Sequence, residues 1–253
     1  MEKARAAALR AIELDDNLSQ AHASLAFISY CYDWNWGIAE KEFKHALALN
    51  AANATAHQWY SEYLADLKRW DEAIVEARAA LAMDPLSLIV NENLARPYYY
   101  SRQFDKAVEL SQATLRLDPR FPVAHLRLGR AYAAKGLYSE AVAEFREFSE
   151  LSGDTTLALA SIANAQARNG HRSDSLHIID GFKQTGSREH VPSYQFAIAY
   201  AGLGDTDQTI RWLEQAYEQR SDFLVTLGVE PMFDNLRSNP RFQDLLHRIA
   251  LAP

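Results

Sequence analysis

A single cysteine, Cys31, is present in 253 residues, so no disulfide can close within the chain and a reducing, cytoplasmic setting is the expectation. Its place in an apolar helical run predicts a small buried side chain rather than a nucleophile. Ten glycines and eight prolines are too few for a fold dominated by loops. No stretch of about 18 apolar residues occurs, which excludes a membrane-spanning helix. The opening MEKARAAALRAIELDD has no apolar centre of the kind a secretory leader needs. Lysine and arginine never form a run, and 26 basic residues against 33 acidic give a formal charge of −7. Such a surface repels a phosphate backbone, so nucleic acid is not an expected partner. A Gly-rich phosphate loop, a His-Glu-x-x-His pair and a nucleophile elbow are all missing, and the expectation is a protein that is not an enzyme and has no cofactor.

What is abundant is Ala, Leu, Glu, Arg and Gln, the residues that lose least on entering a helix, so long helices with short turns and few or no strands are predicted. The phrase Ala80-Leu81-Ala82-Met83-Asp84-Pro85 returns as Thr114-Leu115-Arg116-Leu117-Asp118-Pro119, 34 residues later, and Ala46-Leu47-Ala48-Leu49-Asn50 precedes it by the same step. An aromatic followed three residues on by alanine recurs in the same period: Trp36 and Ala39, Trp70 and Ala73, Phe104 and Ala107, Tyr138 and Ala141. Each marks the start of a second helix, and the small residue lets two antiparallel helices approach. Six units follow, at about 20–53, 54–87, 88–121, 122–155, 156–189 and 190–223. The last two are weaker, with Ser175 and Thr209 in place of the alanine and a loose turn at Gln184-Thr185-Gly186-Ser187.

These residues resemble the tetratricopeptide repeat. The resemblance implies an all-α fold, a right-handed superhelical solenoid of antiparallel helix pairs, whose first helices line a concave groove that takes a peptide or protein partner. Residues 1–17 read as only the second helix of an incomplete repeat, which predicts a fragment of a longer protein and a bare apolar face able to pair two copies into a homodimer. Residues 224–253 break the period and read as C-terminal capping helices, with Phe242, Leu245, Leu246 and Ile249 forming an apolar stripe. The Asp33-Trp34-Asn35-Trp36 turn and the closing Leu236-Arg237-Ser238-Asn239-Pro240-Arg241-Phe242 also resemble the C-terminal repeat region of large bacterial signalling proteins. There such a region follows a winged-helix, cyclase or eukaryotic-like Ser/Thr kinase domain. That likeness implies a scaffold within a bacterial regulatory protein or, alternatively, a ligand-sensing domain that controls the attached one.

By the same resemblance the groove holds Gln58, Trp59, Glu62 and Asp66, then Glu92, Asn93, Arg96, Tyr99 and Tyr100, then Arg127 and Arg130, then Asn164 and Arg168. Four arginines on neighbouring first helices of an acidic chain suit the carboxylates of an acidic peptide. The other reading is that they pair with Glu62, Asp66 and Glu92 inside the protein. A chaperone-tail carboxylate clamp is not expected, because only Asn93 and Arg127 match its positions while Gln58, Glu62 and Val123 do not. His22, His57 and His125 share the fourth position of their units, about 10 Å apart from repeat to repeat, too far to share one metal ion, and are expected to pack structurally. Trp34 reads as an inserted, exposed residue of the first unit and a second partner contact. Pro97 falls inside a first helix and should kink it.

Overall fold

The computed structural model describes residues 2–185 and 191–251, so the turn anticipated at 184–187 passes out of the described residues at Gly186. The described residues contain helices and no strand. In chain order they are α1 Glu2–Leu14, α2 Ser19–Cys31, α3 Trp36–Leu49, α4 Ala54–Asp66, α5 Trp70–Met83, α6 Leu88–Asn93, α7 Ala95–Tyr100 and α8 Phe104–Leu117. There follow α9 Pro122–Ala134, α10 Tyr138–Ser152, α11 Thr155–Arg168, α12 Arg172–Thr185, α13 Ser193–Gly202 and α14 Thr206–Glu218. Two 3₁₀ helices, Asp222–Thr226 and Pro231–Leu236, precede α15 Pro240–Arg248.

Two compact units divide these elements. The first comprises residues up to Ser101 with Asp222–Val229 and Leu246 onward; the second comprises Arg102–Ser221 and Glu230–Leu245. The helix pairs α2/α3 and α4/α5 are antiparallel hairpins of the first unit, and α9/α10, α11/α12 and α13/α14 of the second. Ala39, Ala73, Ala107 and Ala141 have no exposed surface, as do the substitutes Ser175 and Thr209, so the position works as a close-approach point in every unit that has it. Thr209 satisfies its hydroxyl by donating to the Asp205 carbonyl at 2.7 Å. Helix starts are fixed locally. Asn35, Asn53, Asp154 and Asp205 each accept a backbone N–H three residues on, and Pro122 opens α9. In the first unit an aromatic core of Tyr30, Trp36, Phe43, Tyr60 and Tyr63 has ring centroids 5.4–5.9 Å apart.

Pro97 breaks its helix rather than bending it: α6 ends at Asn93 and α7 restarts at Ala95. Lacking an N–H, Pro97 cannot bond the Asn93 carbonyl four residues back, and its ring crowds that oxygen.

The turn between the two helices of a unit needs one residue with left-handed backbone. Trp34, Lys68, Arg102, Gly136, Gly170 and Gly204 supply it, each 34 residues after the last, with φ of 52°, 64°, 67°, 80°, 88° and 70°. This corrects the reading of Trp34 as an exposed insertion. It occupies the regular turn position and is 7% exposed. The extra residue of the first unit lies just before it: Asn35 N–H bonds the Ser29 carbonyl six residues back, whereas Arg69, Leu137, His171 and Asp205 close the same turn over five. A side chain in this conformation costs about 1–2 kcal/mol that glycine avoids. Lys68 is exposed, so Lys68→Gly should raise the unfolding free energy by up to about 1 kcal/mol in a urea titration, after the entropy that glycine adds to the unfolded chain.

Candidate functional site

In the first unit, the first helices carry a buried charge cluster. Arg96 of α7 reaches the Asp66 carboxylate of α4 with one guanidinium nitrogen at 2.7 and 2.8 Å from its two oxygens, while another lies 3.6 Å from Glu62. The Asp66 side chain has no exposed surface, and it also accepts a short hydrogen bond from the Tyr30 hydroxyl of α2. The Arg96 guanidinium sits 5.3 Å from the Tyr100 ring centroid, a cation–π contact. Burial pushes the Asp66 carboxyl up from 3.8 to about 6 despite the attraction of Arg96, and burial next to Asp66 raises Tyr30. Burial likewise pushes the Cys31 thiol up, so Cys31, 7% exposed, is a packing residue as expected.

Several residues read as groove contacts are thus consumed inside the protein. Tyr99 and Tyr100 are 1% and 3% exposed, which removes their rings from solvent. Asn93, 1% exposed, donates to the Gln58 carbonyl of α4 at 3.3 Å, and Asn164, 2% exposed, donates to the Ile198 carbonyl of α13 at 2.8 Å. Both bind one repeat's first helix to a neighbour's backbone. Gln58 is 8% exposed and donates to Glu62 at 3.3 Å, while Trp59 lies against Phe27 with centroids 4.7 Å apart. Arg96 follows the alternative in which groove arginines meet groove acids. Part of the first helix α2 is also covered by the chain's own Asp222–Thr226 turn, and Trp36 donates its indole N–H to the Ile249 carbonyl at 2.9 Å.

The second unit is different. Arg127 and Arg130 lie on α9 and Arg168 at the end of α11. Arg130 is 3.9 Å from the buried Glu230 carboxylate. Arg168 is exposed, with its guanidinium 5.4 Å from the Tyr138 ring centroid. It lines a cavity of about 430 Å³ together with Arg102, Ala134, Gly202, Met232 and Asp234. Ala134, Arg168 and Gly202 are one repeat position in three successive units; in the first unit that position holds Asp66 and Tyr100, both buried. Neither neighbour carries a long side chain, and both line the hollow beside Arg168. The period of 34 contains this juxtaposition, which shows only when one position is compared across units rather than residues along a unit.

The three repeat histidines share one geometry. Nδ1 of His22, His57 and His125 meets Glu42, Glu76 and Glu144 at 2.7, 2.5 and 2.7 Å. Nε2 meets the carbonyl six residues upstream, of Asp16, Ala51 and Pro119, at 3.0, 3.1 and 2.9 Å. Each imidazole pins the start of a first helix to the second helix of its own unit. The hydrogen bond to Glu76 raises the pKa of His57 against the opposing effect of burial.

Residues 34–87 and 93–154, just under half of the chain, match the family model described as tetratricopeptide repeat. No curated protein sequence matches the chain. Among solved structures, the human IFIT1 dimer gives a TM-score of 0.69 at 16% identity, covering 98% of this chain and 63% of that one. TTC0263, a tetratricopeptide-repeat protein of Thermus thermophilus, gives 0.59 at 20% identity over 78% of this chain and 97% of that one. PilF of Pseudomonas aeruginosa gives 0.56 at 23% identity over 74% and 85%. At these identities the likeness is one of fold. No described helix is long and apolar enough to cross a membrane.

Proposed function

We propose that the chain, which matches the tetratricopeptide-repeat model over just under half of its length, is a non-catalytic scaffold that holds a peptide or protein partner on its first helices, as proteins of that fold generally do, within a larger bacterial regulatory protein. The partner is acidic, and its carboxylate, from a side chain or a chain terminus, pairs with Arg168 in the hollow of the second unit. The observation that supports this is the exposed Arg168, which lines a cavity of about 430 Å³ together with Ala134 and Gly202. A guanidinium fork pairs with carboxylate through two parallel N–H donors, and a hollow with small walls admits an extended peptide beside it. Arg127 extends the basic character along α9, whereas Arg96 is committed to Asp66 and is part of the fold. Homodimer formation through α1, where Leu9 and Leu14 are 43% and 70% exposed, is a second association the same chain can make.

The test is an array of peptides with acidic C-termini, followed by affinity measurement of the tightest binder. Arg168→Glu should weaken binding by at least about tenfold, since it replaces an attraction by a repulsion worth about 1.4 kcal/mol or more. Equal affinity of wild type and variant, or no peptide retained, would overturn the assignment.

A further inference from the structure

We infer that the first repeat carries a site for a zinc ion, formed by His22, His45 and Asp16. One ligating atom from each of these residues lies within 4.8 Å of the other two. The imidazoles of His22 and His45 meet edge to face, with ring centroids 4.4 Å apart and planes at 85°. His22 Nε2 is 3.6 Å from Asp16 Oδ1. In a tetrahedral site with metal–ligand bonds of about 2.0–2.1 Å, ligand atoms stand about 3.4 Å apart. Closing the triad on an ion therefore asks for movements of up to about 1.4 Å, shared between the Asp16 carboxylate, which is 78% exposed, and the His45 imidazole.

The neighbouring groups suit a metal as well as the ligands do. His22 is 4% exposed, and its Nδ1 faces Glu42 Oε2 at 2.7 Å. A carboxylate that takes the Nδ1 proton fixes the ring and leaves the Nε2 lone pair for a metal, which is the arrangement behind most metal-bound histidines. His22 Nε2 faces the Asp16 carbonyl at 3.0 Å, so the ring has an oxygen acceptor on each side. A cation at Nε2 displaces the proton that would otherwise bridge to that carbonyl, and because zinc stands about 2 Å from each neighbour the carbonyl must turn aside or join the ligands.

The other repeats keep the structural histidine without the added ligands. His57 and His125 have the same glutamate and the same carbonyl, but Ala51 and Pro119 stand where Asp16 supplies its carboxylate. Ala79 and Glu147 stand where His45 supplies its imidazole. Among these three repeats, only the first adds two ligands to the histidine. The spacing that keeps histidines of successive repeats from sharing an ion does not apply, since this triad lies within one repeat and the turn before it. Two nitrogens and one carboxylate suit zinc, with a fourth position left for water or for a partner's side chain.

The probe is Zn²⁺ itself, added to chelator-stripped chain in competition with a chromophoric chelator. The expected result is one ion per chain. His45→Ala and Asp16→Asn should each weaken binding at least about tenfold, and Glu42→Gln by about tenfold through the ring it orients. His177→Ala, in the second unit, should leave affinity unchanged. Neither His45 nor Asp16 belongs to the buried core, and circular dichroism of both variants establishes that they fold. Co²⁺ substituted for Zn²⁺ should give the intense visible bands of a four-coordinate site in wild type and lose them in His45→Ala. An unbound wild type overturns the inference, as does equal Zn²⁺ affinity in wild type, His45→Ala and Asp16→Asn, which would mean surface histidines act unaided.

Discussion

Arg96→Ala should lower the free energy of unfolding by about 3–5 kcal/mol in a urea titration at pH 7, the cost of leaving a buried carboxylate without its partner. The Asp66 side chain has no exposed surface, so water cannot replace the guanidinium that leaves. Tyr30 alone would remain as a donor, and Glu62 would face Asp66 without the positive charge between them. Removing both charges together, Asp66→Leu with Arg96→Met, should recover most of the loss, because the penalty belongs to the stranded charge rather than to the missing pair. A small loss in Arg96→Ala would mean that Asp66 is hydrated or takes up a proton at little cost.

The same cluster makes stability depend on pH in a definite direction. The Asp66 carboxyl titrates at about 6 in the folded chain against 3.8 for the ordinary group, so the folded state holds this proton more tightly. Its contribution is fully present below pH ~4 and is lost as the pH rises through ~6, amounting to about 3 kcal/mol over two units. Carboxyl NMR should place the Asp66 midpoint near 6 in wild type and higher in Arg96→Ala, where burial acts without the opposing cation.

The repeat itself is readable from the sequence because its signals are local. Small residues at Ala39, Ala73, Ala107 and Ala141 and the aromatics preceding them recur at one spacing, and the break at Pro97 follows from the missing N–H. Exposure at individual positions is less readable, because it depends on what lies across from a residue. Trp34 reads as an insertion since its side chain differs from Lys68 and Gly136, yet the shared feature is backbone φ, which side-chain comparison does not register. Tyr99 and Asn93 occupy positions that face the groove in the repeat pattern, but the broken helix α6/α7 and the carbonyls of α4 take them up. His45 has no counterpart in the neighbouring units, and a search for recurrence passes over what occurs once. Arg168 is legible as a residue but not as a site, since its hollow is lined by Ala134 and Gly202 from the repeats on either side and by Met232 and Asp234 from beyond the repeats.

Gly202→Ala should be among the most damaging single-methyl changes in the chain. A Cβ at Gly202 would fall 2.4 Å from the Asn164 Cα, 2.7 Å from its carbonyl oxygen and 2.9 Å from its carbonyl carbon. All three are backbone atoms of α11, so relief requires α13 to move as a body. Asn164 is also held to α13 by its hydrogen bond to the Ile198 carbonyl, which opposes that movement. Overpacking of this kind costs about 3 kcal/mol or more when the obstacle is main chain. Gly129→Ala is the internal comparison. Its Cβ would meet the Phe145 ring at 2.6 Å and the Ala141 carbonyl oxygen at 3.2 Å, but Ala95, Ala163 and Ala197 stand at the same position of other repeats, so the helix spacing accommodates a methyl once the ring turns and the Ala141 carbonyl gives slightly. Its loss should be nearer about 1 kcal/mol. Thermal unfolding of the two variants side by side should therefore rank Gly202→Ala well below Gly129→Ala. Because Gly202 also lines the cavity beside Arg168 and α13 must shift to admit the methyl, a Gly202→Ala chain that stays folded at low temperature should bind the acidic peptide more weakly than wild type. Equal stability of the two glycine variants would mean that α11 and α13 are farther apart than the close approach at Asn164 requires.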